Sequence, residues 1–280
     1  MTDLNLYAYG IPIIMGMIIA ETIYSKINNL SLYKLNDSMA GVGLLAGNII
    51  VNIGTKGSII FFYFYLYDFR IFTINTIFSS ATVWLLTFIA IDFVFYWYHR
   101  FSHRVRFMWA VHMNHHSSEE MNFTVALRQA WFGPVTKVPF FFILPIIGFD
   151  PLITALAGAA ATLWGVTGHT QSIRTLGVLE YIFVTPSSHR VHHASNPEYI
   201  DKNYGNMFII WDRIFGTYAK EESKVIFGIT ENVKTFNPIK ITFMNWIKMF
   251  QDFKESSSLS DRLNSFFGPP EWHLDKTHKS

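Results

Sequence analysis

The stretch WYHRFSHRVRFMWAVHMNHHSSE, residues 97–119, follows a long apolar run and packs five imidazoles, His99, His103, His112, His115 and His116, into eighteen residues. Side chains four apart on a helix return to nearly the same face, so HxxxH (His99, His103) is expected to aim two nitrogens in one direction and HxxHH to aim three. A second HxxHH stands at His189, His192 and His193, and His169 lies in GHTQ between the two regions. Neutral imidazole is the commonest protein ligand for metal ions. A lone HxxxH at the end of an apolar helix reads more readily as two interfacial histidines than as a ligand pair. Three such motifs in one chain require a metal. One tetrahedral zinc takes four ligands, so nine histidines fit two ions with four or five ligands each. An all-nitrogen set suits iron, copper or zinc, with geometry rather than raw affinity choosing among them, and iron is the redox choice if an open coordination position lies beside a lipid-facing cavity.

Outward from the histidines the chain is apolar. Of its 280 residues 50% are hydrophobic, 17% aromatic and only 15% charged, with positive mean hydropathy, which points to a membrane protein. Residues 4–24 form a first run whose single charge, Glu21, lies at its far end; without a basic start it reads as a retained transmembrane helix rather than a cleaved signal. A second run covers residues 39–69, interrupted by Lys56, which is expected to snorkel or face the protein interior. The third, residues 80–98, leads straight into His99. The fourth, residues 138–168, is broken by Pro145, Gly148, Asp150 and Pro151 and reads as a helical hairpin dipping into the bilayer and returning. The fold expected is an all-α integral membrane bundle of three spans plus this hairpin, carrying a His-rich di-metal cap. Residues 1–220 would form that unit, and residues 221–280 a peripheral tail with a flexible ESSSLS stretch and two solvated histidines, His273 and His278.

Charge sets the orientation. Lys26, Lys34, Arg100, Arg104, Arg106, Arg128, Lys137, Arg174, Arg190 and Arg213 fall on one side of the runs and little beyond Arg70 on the other, so all histidine motifs are expected on the cytosolic face, of a bacterial inner membrane or endoplasmic reticulum. The absence of cysteine removes disulfides, iron–sulfur clusters and thiol nucleophiles. A net charge of +2 without a basic block gives no reason for a nucleic-acid partner.

Ligating imidazoles usually donate their second N–H to a carboxylate, carbonyl or water. Asp92, seven residues before His99 and the only carboxylate of the third run, is a candidate to orient a ligand; Glu119, three residues past His116, is a candidate for that role or for proton delivery. Asp201, Asn203 and Asp212 are candidates to fix the third motif. Trp97, Trp109, Phe123 and Trp164 are candidates for the mouth of a lipid tunnel, with interfacial anchoring the plainer alternative. A metal carrier or store is the rival reading, and it would place its ligands near the bilayer midplane rather than beyond the helix ends.

The order HRFSH, HMNHH, GHT, HRVHH resembles the fatty acid hydroxylase and sterol desaturase superfamily of membrane di-iron enzymes. DFVFYWYHRFSH, MWAVHMNHHSSEEMNFTVALRQ and TPSSHRVHHASNPEYIDKNYGNMFIIWDRIFGTY are similar to its alkylglycerol monooxygenase-like branch, over roughly residues 40–220. The resemblance implies metal ligation by His99, His103, His112, His115, His116, His169, His189, His192 and His193, with Glu119 at the active site. It implies two iron ions, for which zinc can substitute without supporting the chemistry, and oxygen-dependent hydroxylation of a lipid alkyl chain. In that branch the carbon beside an ether oxygen is hydroxylated and a fatty aldehyde released, with electrons from a reduced pterin. Related chains hydroxylate or desaturate acyl chains or sterols with a cytochrome or ferredoxin donor.

Overall fold

The computed structural model describes residues 6–274, so His278 lies outside the described residues. Among the described residues twelve α-helices follow in order: α1 Leu6–Ile27, α2 Leu35–Asp68, α3 Ile74–Ile77, α4 Ser80–Arg104, α5 Arg106–His116, α6 Gly133–Phe141, α7 Ile143–Ile147, α8 Pro151–Val166, α9 Pro186–His192, α10 Ile210–Ile214, α11 Pro238–Glu255 and α12 Leu259–Phe267. Among the described residues extended pairing is limited to two isolated bridges, Phe183 with Phe208 and Ala194 with Phe227. Three helices, α1, α2 and α4, are long and apolar enough to cross a membrane.

α4 carries the site. Ser79 caps it by accepting from Thr82 N, and its buried residues Val83, Thr87, Ile91, Asp92, Tyr96, Tyr98, His99 and Ser102 recur along one broad face, most of them three or four apart. Against the apolar half of that stripe packs α8, whose Ala157 and Ala161 are small enough for close helix approach. The stripe continues into His99 with no change of face.

The hairpin expected after residue 138 is α6, α7 and α8, starting at Gly133. Its turn needs Gly148, at φ 120°, because a Cβ there would collide with Phe72 O. Asp150 then caps α8 through Leu152 N (2.8 Å) and Ile153 N (3.1 Å), with Pro151 in the first turn. Ile71 N and Phe72 N donate to Ile146 O and Ile147 O, so the hairpin tip reaches the loop between α2 and α3. The sixteen residues of α8 rise about 24 Å, close to the ~30 Å of a hydrocarbon core.

Two expectations need correction. α2 starts at Leu35, earlier than the apolar run, and its 34 residues extend about 51 Å. Its first turns belong to the cap: Ala40 and Leu44 are buried with Ile241 of α11. Lys56 is exposed on the later, apolar part of the helix. The segment after residue 220, expected as a peripheral tail, carries α11 and α12, which pack on α5 with Ile241 and Met249 buried. ESSSLS ends α11, links it to α12 and supplies the cap Ser258, whose Oγ accepts from Asp261 N at 3.0 Å. The apolar faces of these two helices supplied a packing surface that overall polarity concealed. His273 is exposed, as expected.

Candidate metal centre

Val105 is extended (φ −119°, ψ 123°), so α4 ends at Arg104 and the chain folds back as α5. The elbow is held from outside: Arg106 N donates to Gly268 O at 2.9 Å, and the Arg106 guanidinium bonds Asp252 and Ser265 O. This reversal lays His112 and His116 against His99 and His103. α9 is started by Thr185, which accepts from Ser188 N while Ser188 Oγ accepts from Thr185 N, with Pro186 in the first turn. Gly168 lets the chain pass the ring of His189, which a Cβ would approach to 2.9 Å.

The nine histidines are buried or half-buried and fall into two sets. His99, His103, His112, His116 and His192 form one; His115, His169, His189 and His193 form the other; within each, one nitrogen per residue lies within 4.8 Å of all the rest. The HxxHH motifs therefore do not aim three imidazoles together. Neighbours on a helix are about 100° apart, so each HH pair divides, and the two motifs divide in mirrored fashion. The first sends its i and i+4 residues to the five-histidine set and His115 to the other; the second sends His189 and His193 to the four-histidine set and His192 to the other.

Backbone carbonyls fix several rings. His99 Nδ1 meets Tyr204 O at 2.7 Å, His169 Nδ1 meets Gly165 O at 3.0 Å, and His192 Nδ1 meets Lys202 O at 3.0 Å. A carbonyl only accepts, so each Nδ1 carries the proton, and the Nε2 of a neutral ring presents a lone pair inward. Those Nε2 atoms face other Nε2 atoms: His99 to His112 at 2.9 Å, His192 to His116 at 3.2 Å, His169 to His115 at 3.2 Å and to His189 at 3.0 Å. One buried nitrogen in each set, His103 Nε2 and His193 Nε2, has no hydrogen-bond partner. Protons are disfavoured there. Burial first, then the charge of His192, holds His112 down to about 3, and burial holds His169 and His192 at about 4. His115, His116, His189 and His193 are held well below 6.5 by burial and by one another. Converging neutral lone pairs without protons are satisfied by a nitrogen-binding cation, and an orphaned nitrogen in each set fits one ion in each.

The carboxylates expected at the site are placed elsewhere. Asp92 is fully buried but accepts from Met207 N (2.8 Å), Phe208 N (3.0 Å) and Trp211 Nε1 (3.0 Å), so it anchors the segment after Tyr204 and not a histidine. Its helical register is right, but the Met207–Trp211 backbone lies closer. Glu119 is exposed, influences Lys34 and enters neither set. Asp212 accepts from Tyr204 N (2.7 Å) and Gly205 N (2.8 Å), which orients the Tyr204–Gly205 peptide, whose carbonyl serves His99, and the peptide before it. Asn203 donates to Ser188 O (3.0 Å) and Ala219 O (2.8 Å). Asp201 pairs with Arg104 and lies 3.9 Å from His103 Nδ1. Of the four aromatic residues expected at a tunnel mouth, Trp109 stacks beside the five-histidine set, with its ring centroid 5.1 Å from His103 and 5.7 Å from His116. Trp97 packs on Phe215, Phe123 on Val166 and α1, and Trp164 on Phe183.

Sequence reasoning missed the carbonyls of Tyr204, Lys202 and Gly165, since every residue has one. It also assigned nothing to Glu21, whose position as the single charge of an apolar run was a signal. The Glu21 carboxylate accepts from Tyr33 Oη (2.6 Å), Phe123 N (3.0 Å), Ser172 Oγ (2.9 Å) and Thr170 Oγ1, tying α1 to the turn that follows His169.

Residues 84–217 match the fatty acid hydroxylase family model. The chain is 35% identical over 261 residues to alkylglycerol monooxygenase of Xenopus tropicalis, covering 91% of this chain and 57% of that protein. It is 38% identical over 211 residues to the Homo sapiens protein of the same name, covering 75% and 47%. Ornithine lipid hydroxylase OlsE of Rhizobium tropici is 29% identical over 145 residues, or 51% of this chain and 44% of that one. The chain thus spans about half the length of the curated relatives it matches. No solved structure matches. All nine clustered histidines but none of α11 or α12 fall inside the matched region, so the chain is similar to the fatty acid hydroxylase family across its histidine core and to the alkylglycerol monooxygenases over most of its length.

Proposed function

We propose that this chain is an oxygen-dependent lipid monooxygenase that hydroxylates the alkyl chain of an ether lipid from the cytosolic face of a membrane. The observation that carries the reading is the sorting of nine imidazoles into sets of five and four. His99, His103, His112, His116 and His192 would hold one iron ion, and His115, His169, His189 and His193 a second. Iron, when bound, supplies the change of oxidation state that oxidation of an unactivated C–H bond by oxygen requires.

The chain's own residues do the rest. Tyr204 O, Lys202 O and Gly165 O keep three rings in the tautomer that offers Nε2 inward. Burial keeps the imidazoles unprotonated at neutral pH, so a metal need not displace protons. Trp109 covers the five-histidine set and limits water beside it. Hydroxylation of the carbon next to an ether oxygen uses one O2, two electrons and two protons and releases water; the hemiacetal formed collapses to an aldehyde and a glycerol. The donor of those electrons is of the reduced pterin, cytochrome or ferredoxin type.

Anaerobic purification, metal quantification and Mössbauer spectroscopy, followed by oxygen-dependent turnover of alkylglycerols, fatty acyl lipids and sterols with mass analysis of products, tests the proposal. Two coupled irons per chain and aldehyde from an alkylglycerol are expected. A hydroxylated acyl product would move the substrate towards that of the ornithine lipid hydroxylase relative. A single mononuclear site, or no oxygen-dependent product from any lipid, would sink the reading.

A further inference from the structure

At the end of α4 a cavity of about 550 Å³ opens between Arg100, Arg104, Asp201, Lys202 and Tyr204. Its volume lies in the range of small-ligand sites, yet no imidazole lines it. Tyr204 separates the two: its carbonyl accepts a hydrogen bond from His99 Nδ1, and its ring centroid stands 5.3 Å from that of His103 and 6.0 Å from that of His192.

The lining is cationic and only partly neutralised. Arg104 is paired with Asp201. Among the described residues, Arg100 and Lys202 belong to no ion pair. Arg100 spends one N–H on Tyr96 Oη at 3.0 Å and lays its guanidinium over the Trp97 ring, at 5.6 Å, out of a total of five donors. Two carbonyls of the strap that forms the far wall, Lys202 O and Tyr204 O, point away at His192 and His99, and its Asp201 carboxylate is taken by Arg104. A concave site rich in donors, with unspent positive charge, selects an anion. The guanidinium fork matches the oxygens of a phosphate. Arg100 and Arg104 stand in the last turn of a candidate span, the depth at which lipid phosphates lie.

Hydrogen bonds keep the strap in this form: Asn203 donates to Ser188 O and Ala219 O, and Asp212 accepts from Tyr204 N. Asp201 (φ 62°) and Asn203 (φ 56°) are left-handed on either side of Lys202, a conformation that Asp and Asn tolerate better than other side chains. One rigid segment therefore serves as cavity wall and as the carbonyl support of two histidines.

We propose that this cavity binds a phosphate group, carried by a phospholipid headgroup or by a soluble phosphate ester, with Arg100 and Lys202 as its principal contacts and Arg104 at the rim. The site stands apart from the oxidation proposed above and does not depend on it. Titration of the full chain in detergent with glycerol 3-phosphate, followed by tryptophan fluorescence through Trp97, probes the soluble source. Native mass spectrometry of the same protein with phosphatidate and with phosphatidylcholine probes the lipid source.

Saturable binding of at least one probe is expected, weakened about tenfold or more in Arg100→Gln/Lys202→Gln and unchanged in Lys254→Gln, an exposed lysine of α11. Binding of glycerol 3-phosphate assigns a soluble ester; binding of lipid alone assigns the headgroup. Arg100→Lys, which keeps the charge and loses the fork, should fall between parent and double variant. Circular dichroism and metal content of each variant report its folding, and Lys202→Gln alone, at the mouth, should weaken binding several-fold if the double variant fails to fold. No binding of either probe, or equal binding by parent and variants, overturns the proposal, whatever the iron content and turnover prove to be.

Discussion

An imidazole that binds a metal usually has its other nitrogen fixed, and here backbone carbonyls fix those of His99, His169 and His192. Asn203 illustrates the dependence: its amide bridges Ser188 O and Ala219 O, and its left-handed backbone aims the neighbouring carbonyls at His192 and His99. Asn203→Ala loses both bonds and disfavours that conformation. Metal affinity should fall about 10- to 100-fold, as when supporting partners of ligands are removed elsewhere, read by metal content after dialysis against a chelator. His112→Ala should lose metal and activity together, whereas exposed His273→Ala should keep both; equal losses would mean that the C-terminal segment contributes to the site. The depressed imidazoles also set an acid limit. Their folded values, about 3 for His112 and about 4 for His169 and His192, lie below 6.5, so the unfolded chain takes up protons first. The stability they contribute is complete above pH 6.5 and is lost as pH falls from there towards 4. Melting temperatures of the metal-free protein should drop steadily across that window, and a flat profile would show that these rings are protonated in the folded state.

Between residue and molecule the decisive unit is the loop that buries an ion pair under α5. Arg128 and Asp37 meet at 2.6 Å with side chains 1% and 6% exposed, Arg128 also donates to Ser117 Oγ (2.7 Å), and Ser118 Oγ donates to Asp37 (2.7 Å). The start of α2 is thereby fastened to the end of α5, immediately after His115 and His116. Removing one partner leaves a buried charge, so Arg128→Met or Asp37→Leu should each cost about 3–5 kcal/mol, and the double variant less than their sum. A double-mutant cycle on thermal or denaturant unfolding reads this, and additive losses would show that the pair is not coupled. None of this network was legible in the sequence, where Asp37 and Arg128 are two charges 91 residues apart. What could be read was periodic or covalently local: the α4 stripe running into His99, the break at Gly148–Pro151, and the membership of all nine histidines in the cluster. Periodicity gives the face of a helix but not what lies against it. For that reason Asp92 was placed on the correct face and matched to the wrong partner, and α11 and α12 were taken for a tail. The division of each HH pair was implicit in the helical angle, yet it shows only when two helices meet.

At the scale of the whole chain, long helices and basic loops combine into one topology. α1, α2 and α4 are candidate spans, and the α6–α8 hairpin starts and ends on the histidine side while its tip reaches the α2–α3 loop. In the proposed topology the single span α4 places Asp68, at the end of α2, across the membrane from the histidines, and the two spans α2 and α4 return the α1–α2 connector to their side. The distribution of Lys and Arg supports the proposed cytosolic placement of the histidine side. Because the chain has no cysteine, single cysteines report position without background. Asn28→Cys, Asp68→Cys and Ser223→Cys each replace an exposed residue. Treated in intact cells with a membrane-impermeant maleimide, Asp68→Cys should be labelled, and Asn28→Cys and Ser223→Cys protected until the membrane is opened. The reverse pattern would invert the orientation and leave the span count intact. Labelling of Asn28→Cys and Asp68→Cys from the same side would mean that α2 does not cross, and its exposed Ile49, Ile50, Ile53, Phe61 and Phe62 would then lie along the membrane surface instead of in its core.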